Sequence, residues 1–541
     1  LPVLKIYFSR LGKMTGLSNE RILDRLPFLG LDIESVDAES VRIEYNPNRA
    51  DFSTDYGIAR ALKGLVGSEV GLPSYQVAAG PIRVEADANL SKVRPWIACA
   101  AVRGMKLDDE TVRQLISMQE DLHNGIGRKR KKAAIGLHNL DAIKPPLRYR
   151  GMSGSFEFAP LGSAKKMTIS EILRETDTGV AYGQILKGAA VYPVLYDSKD
   201  VVLSFPPIIN GNATKVDAGT RNMFIDVTSI DERVGAEALA IICSALADAG
   251  GKIETVRVEY ADSSRTTPDL SPQAMKFDEK LAARMTGLDL SQAEMKDCLA
   301  RSRIGLDAEG IALIPRYRVD IIHPVDLAEE VAIGYGLDMI EPLYPASKEP
   351  GRLARVNSIL DSVSESVAMA GFIETMGYDL VDADSLYQKF SRSGDSRIEV
   401  ENPRTLEHHL LRDSTLPSLM STLARNVKAA YPQRVFEVGR VYTRGGSGID
   451  ETPKLAALVA HSSSSFSEAK MYLEALVREH LGKGIETRVA QHWAFADGRC
   501  AEVTVDGMAI GHLGEVKPSA VAAFGLDVPV AAFEIDLSSF L

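Results

Sequence analysis

Four carboxylates crowd one short stretch of this sequence. Asp320 is followed by Asp326, Glu329 and Glu330 within RYRVDIIHPVDLAEEVAIGYG, Arg316 to Gly336. Val319, Ile321 and Ile322 are β-formers, and Arg316, Arg318 and Asp320 alternate with apolar neighbours, so the stretch is expected to open as a strand. Pro324 suits the first turn of a helix, where a missing N–H costs nothing. Asp326, Glu329 and Glu330 then share one helical face, with Asp320 just before the turn. Two kinds of chemistry fit this corner. Acidic residues near a helix N-terminus complement the dipole, at about 0.3–1 kcal/mol per charge. Alternatively, carboxylates this close repel one another, and Mg²⁺ with retained waters would relieve that. Spacing leaves both open.

A second constellation lies in YPVLYDSKDVVLSFPPIINGNATKVDAGTRNMFIDVTSID, Tyr192 to Asp231. Two strands flank the turn DSKD, and MFIDVT is a third. Asp226 and Thr228 lie at i and i+2, hence on one face of that strand. With Ser204 they could line a polar pocket sized for an amino acid. The ordinary alternative is that Ser and Thr are simply common in strands and Asp226 caps a turn.

The elements that must position these groups belong to a long, mixed chain. Its 541 residues allow roughly 3–4 domains of about 100–200 residues each. Hydrophobic content of 45% and charged content of 25% are ordinary for a globular protein. A net charge of −11 rules out a global basic field for nucleic acid, so any RNA contact needs a local patch. Cys99, Cys243, Cys298 and Cys500 lie far apart, with neither zinc nor disulfide spacing, and a reducing cytoplasm is expected. The opening LPVLKIYFSRLGK lacks the apolar core of a signal peptide, and no apolar run approaches the ~20 residues of a membrane span. The sequence contains no Walker loop, HExxH, Gly-rich dinucleotide fingerprint or internal repeat.

In chain order, VLKIYFSRL reads as a strand and LSNERILDRLPFLG as a helix capped by Ser18. VRIEYNPNRADFSTDYGIARALKGLVG reads as strand, polar turn and helix, capped by Asp51 or Ser53. WIACAAVRGM is a strand. DDETVRQLISMQEDLHNGIG is an amphipathic helix with Val112, Leu115, Ile116, Met118, Gln119 and Leu122 near one side. Gly235 to Gly251 is a strongly apolar helix. KLAARMTG and SQAEMKDCLARSRIG are short helices, the second capped at Ser291. From about residue 346, helix and strand alternate to the end, and GGSG, Gly445 to Gly448, reads as a turn rather than a phosphate loop.

Several of these stretches resemble the phenylalanyl-tRNA synthetase β subunit family, archaeal/eukaryotic-like type. Pro315, Arg318, Asp320, Asp326, Leu327, Glu329, Glu330, Val331, Gly334, Tyr335 and Gly336 resemble the signature closing its B5 domain, although the Arg usual near Ile333 is missing. LSFPPIIN, the flanking PVL and the following DVT resemble its B3/B4 editing module. Asn46 to Gly64 resembles its N-terminal module. Asn402 to Leu419 and FEVGRVY resemble its catalytic-like domain.

The resemblance implies an α+β multidomain chain: an N-terminal α/β module over 1–84, a B3/B4 editing domain over 85–262, a winged-helix-like B5 domain over 263–345, and a class II synthetase-like antiparallel sheet with helices over 346–541. It implies magnesium ligands at Asp320, Asp326, Glu329 and Glu330, and an editing pocket at Leu195, Ser204, Asp226 and Thr228. It further implies an α₂β₂ assembly that charges tRNA(Phe) with phenylalanine using ATP, in the cytoplasm, with no DNA or membrane partner. Adenylate chemistry needs arginines on phosphates. GHLGEVKPSAVAAFG carries none where the family of class II sites has one, so no residue here is assigned to aminoacylation and the α subunit is expected to hold that site. Arg412 and His408-His409 are expected to be structural. The dense basic block Arg128 to Lys132 is either a solvated loop or a phosphate contact with tRNA. The competing class is a non-enzymatic RNA-binding scaffold built on a retired synthetase fold.

Overall fold

Apolar alternation in the first residues makes the strand Val3–Tyr7, but Phe8 already starts a helix, Phe8–Thr15. The expected strand is therefore cut short, because Phe8 and Leu11 bury on one helical face. Ser18 caps Asn19–Arg25 as expected. The helix Asp55–Leu65 is capped by Thr54, whose hydroxyl accepts from the Gly57 N–H at 3.3 Å, and not by Asp51 or Ser53. Asp51 is instead committed to Arg49, through bonds of 2.9 and 3.0 Å.

This computed structural model describes residues 2–344, 349–446 and 448–540, in two compact units, Leu1–Tyr344 and Pro345–Leu541. The expected boundaries at 84/85 and 262/263 both lie inside the first unit. The boundary at 345/346 and Ser447 of the GGSG turn lie outside the described residues. Among the described residues no helix is long and apolar enough to cross a membrane, and all four cysteines are free and buried.

The first unit is organised by an 11-stranded mixed sheet. Its main path runs Ile209–Asn210, Val202–Phe205, Tyr192–Tyr196, Leu147–Met152, Arg83–Ala86, Lys252–Glu259, Trp96–Arg103, Met223–Ser229, Ala133–Asn139. Val77–Ala78 and Ser264–Thr267 also pair with Lys252–Glu259, so the sheet reaches past residues 85 and 262 on both sides. The apolar helix runs Glu232–Asp248, starting earlier than its glycine suggests because Asp231 caps it. It packs on Trp96–Arg103 and Met223–Ser229, burying Leu239, Ile242 and Leu246 with Val102 and Ile225. Each such side chain contributes about 1.5–3 kcal/mol.

Three helices and a small sheet form the winged-helix-like part: Glu279–Thr286, Gln292–Arg301 and Pro324–Tyr335, with Gln273–Lys276, Gly305–Leu306 and Ile311–Ile314. Here the strand expected from Arg316 is absent. Strand Ile311–Ile314 stops before Pro315, which lacks the ladder donor, and the chain turns at 316–317 and 319–320.

The second unit holds a seven-stranded sheet, antiparallel except for its first pair, in the order Ile373–Glu374, Gln433–Gly445, Gly448–Ala460, Val530–Asp536, Met508–Val516, Phe495–Val505, Glu486–Val489. Arg412 is structural. It is 2% exposed and bonds Glu437 at 2.5 Å and Asp379 at 3.0 Å. His492 stacks on His512 at 4.6 Å between ring centroids. Burial, then the neighbouring His512, lowers the His492 imidazole to about 4, and burial lowers His512 too. Both rings are neutral when folded, whereas the unfolded chain binds their protons from about pH 6.5 downward. Stability from this pair is therefore intact at pH 7 and falls between about pH 6.5 and 4, by roughly 3 kcal/mol for His492. Denaturant unfolding of wild type and His492→Gln across that range is expected to show a shallower loss in the variant.

Candidate functional site

Strand register and sheet curvature bring the first polar group together. The sheet curls until its two ends approach, so Ser204 near one end reaches Asp226 near the other. The Ser204 hydroxyl donates to Asp226 Oδ1 at 3.3 Å. Asp226 is 1% exposed, which requires partners for its charge. The second partner is His138, fully buried, with Nε2 at 2.7 Å from Asp226 Oδ1 and Nδ1 at 2.8 Å from Thr214 Oγ1. A neutral ring satisfies both bonds, donating Nε2–H to the carboxylate and accepting the Thr214 hydroxyl.

Gly136 faces Asp226 across the strand pair. A Cβ there would collide with both the Asp226 carboxylate and the His138 ring. Gly136→Ala is thus expected to pull the buried pair apart and destabilise the protein by about 1–3 kcal/mol, measured by denaturant unfolding.

Ser204 and Asp226 line a cavity of about 250 Å³, together with Gln119, Glu120, Arg130 and Ile208. A more apolar cavity of about 330 Å³ adjoins it, lined by Val112, Leu115, Ile116, Leu137 and Val216. The two share Ile116, Gln119, Leu161 and Asn210. Ile116, on the amphipathic helix Asp109–Asn124, is therefore a wall of the pockets rather than core.

The other two expected pocket residues do not line this cavity. Leu195 is the cross-strand partner of Ser204 and packs among Cys99, Tyr149 and Phe224. Thr228 shares the face of Asp226 but sits roughly 7 Å further along the strand. There the buried Arg94 donates to its hydroxyl at 2.9 Å and its carbonyl at 2.8 Å. Burial lowers the Arg94 guanidinium to about 10. Both residues support the pocket from outside its lining. His138, Thr214, Arg94 and Gly136 escape a motif reading. The period-two spacing of Gly136 and His138 in AAIGLHN is the one signal that points to them.

The acidic corner is built differently from its sequence reading. Arg318, 2% exposed, bonds Asp320 at 2.7 Å and also bonds Glu330. Asp326 accepts the N–H groups of Ile322 and His323 at 2.8 and 2.7 Å, closing a capping box with His323. Burial, then Glu330, Asp326 and Asp320, raises the Glu329 carboxyl above its usual range. Burial would also raise Asp51, but Arg49, Arg60 and Arg318 hold it low. Among the described residues no group of three or more His, Cys, Asp or Glu side chains could hold a metal ion. Three of the four expected ligands are engaged by other protein groups. An arginine takes two of them and a helix cap takes the third.

Residues 275–337 match the tRNA synthetase B5 domain, and residues 340–537 match the phenylalanyl tRNA synthetase beta chain CLM domain. The phenylalanine–tRNA ligase beta subunit of Archaeoglobus fulgidus is 42% identical, with 100% of this chain and 99% of that protein covered. The subunit of the same name from Methanothrix thermoacetophila is 38% identical over 99% of this chain and 100% of the relative. A crystal structure of an N-terminal fragment of the phenylalanyl-tRNA synthetase beta-subunit from Pyrococcus horikoshii matches with a TM-score of 0.60 and 35% identity, covering 62% of this chain and 100% of the fragment. A B5 domain followed by a synthetase beta-chain domain is the order of an aminoacyl-tRNA synthetase subunit. The chain belongs to the phenylalanine–tRNA ligase beta subunit family.

Proposed function

We propose that this chain works as the β subunit of a phenylalanine–tRNA ligase and carries the assembly's hydrolytic editing. The overall reaction joins ATP, phenylalanine and tRNA(Phe) into phenylalanyl-tRNA, AMP and pyrophosphate. Aminoacylation belongs to the α subunit, in a cytoplasmic α₂β₂ assembly that uses Mg²⁺ with ATP. The observation that carries the editing reading is the Ser204–Asp226–His138 cluster opening on one cavity beside a more apolar one.

That pairing suits the discrimination an editing site makes. A synthetic pocket that accepts phenylalanine rejects tyrosine weakly, because tyrosine only adds a hydroxyl. A second pocket that binds the hydroxyl selects the wrong ester strongly, since phenylalanine would leave its buried polar groups unpaired. Asp226 is the acceptor for the tyrosyl hydroxyl, and His138 fixes the carboxylate's orientation through Oδ1. Ser204 supplies a hydroxyl beside it. The retained polar cluster favours this reading over a scaffold that has lost its chemistry.

Purification of the chain alone and with α tests the assignment. The isolated chain is expected to charge no tRNA, and the assembly to charge tRNA(Phe) with phenylalanine. Full charging by the isolated chain would reject the division of labour.

A further inference from the structure

We infer that the basic turn Arg128 to Lys132 is the docking surface for the sugar–phosphate backbone of tRNA near its acceptor end, set beside the pocket so that the 3′ ester enters it. This rests on the editing reading for what the RNA delivers, while the surface itself stands on its own geometry.

Arg128, Lys129 and Arg130 have φ angles of 50°, 54° and 65°. Three consecutive side-chain-bearing residues in the left-handed region are strained, since L residues rarely adopt it. The strain is held by fixed contacts. The N–H of Arg130 donates to the His123 carbonyl at 3.1 Å, and that of Lys132 to the Gly127 carbonyl at 2.8 Å. Ile230 N–H donates to the Lys132 carbonyl at 3.0 Å, and Arg94 reaches the Lys131 carbonyl at 3.4 Å. A Cβ on Gly127 would press on the Ala133 and His123 carbonyls at 2.7 and 2.8 Å.

The side chains divide in two. Arg130 folds inward, lines the pocket, donates to the Ile208 carbonyl at 3.0 Å, bonds Glu120 at 2.7 Å and stacks over Tyr182 at 4.3 Å. Arg128, Lys129, Lys131 and Lys132 are exposed, and among the described residues none has an acidic side chain within ion-pair distance. Four cations without an ion-pair partner among the described residues, on a locked backbone in a chain of net charge −11, form a local positive patch. Arg130 ties that patch to the pocket rim. A polyanion lying on the turn therefore has its end at the cavity.

The test uses the assembled α and β chains with the quadruple variant Arg128→Gln/Lys129→Gln/Lys131→Gln/Lys132→Gln. The first measurement is the Kd for uncharged tRNA(Phe) at several salt concentrations. The variant is expected to bind about tenfold or more weakly near 0.1 M salt, with the slope of log K against log salt reduced by about 3, at roughly 0.7–0.9 per lost phosphate contact. A second variant, with Lys129, Lys131 and Lys132 each changed to Arg, keeps the charge and is expected to keep affinity and slope. The second measurement compares hydrolysis of Tyr-tRNA(Phe) with that of 3′-O-tyrosyl adenosine, which carries no phosphate. The quadruple variant's loss on the RNA ester is expected to exceed its loss on the small ester by at least about tenfold. An unchanged Kd and salt slope would overturn the inference. So would loss of α association with tRNA affinity intact, which would make the turn a protein contact. If wild type hydrolyses neither ester but the quadruple variant still loses tRNA affinity, the surface stands and the editing reading falls.

Discussion

Asp226→Ala is expected to slow deacylation of Tyr-tRNA(Phe) by about 10²–10³-fold while sparing phenylalanylation of tRNA(Phe) by the assembly. The carboxylate is buried, already oriented by His138 at 2.7 Å, and borders the cavity. Removing it deletes the acceptor for the tyrosyl hydroxyl and takes from the buried His138 Nε2–H its carboxylate acceptor. The second effect costs about 1–3 kcal/mol of stability, so unfolding must be measured alongside. Asp226→Asn separates the two contributions. It keeps the shape and one oxygen, so it should fold better than the alanine variant yet lose the charged acceptor. Deacylation at the wild-type rate in both variants would reject the pocket.

Arg318→Met is expected to destabilise the protein by about 3–5 kcal/mol, because it leaves Asp320 and Glu330 beside each other without their shared cation. The variant also frees two more oxygen donors beside Glu329. Mg²⁺ is therefore expected to raise the variant's unfolding midpoint more than that of wild type, where the guanidinium already neutralises the corner. Equal Mg²⁺ dependence in both proteins, measured by thermal unfolding with and without chelator, would show that Arg318 does not substitute for the cation.

The two sites differ in how legible they are. Strand alternation places Asp226 and Thr228 on one face, because side-chain direction in a strand is a local property. What alternation omits is which strands meet. His138 joins the cluster because Ala133–Asn139 pairs with Met223–Ser229, and Ser204 because the sheet curls, and both follow from long-range packing. Thr228 obeys the face rule and still misses the cavity, since a strand advances roughly 7 Å over two residues. At the acidic corner the helical spacing of Asp326, Glu329 and Glu330 holds. The strand before it does not form, because Pro315 ends the ladder and the segment turns, bringing Arg318 in among the carboxylates. Charge spacing along a sequence says nothing of a cation folded back from the same stretch. Ser18 and Ser291 cap their helices where expected, whereas the helix Phe8–Thr15 hides in a stretch that alternates like a strand and Thr54 takes the cap expected of Asp51 or Ser53.

Among the described residues, the sheet's end strands Ile209–Asn210 and Ala133–Asn139 share no ladder, and the approach of the two ends is fastened by side chains: Ser204 to Asp226 of Met223–Ser229, and Arg130 to the Ile208 carbonyl. Breathing between the two ends would admit and discharge a bulky aromatic ester without unzipping a single strand, and one substitution among these side chains is enough to retune it.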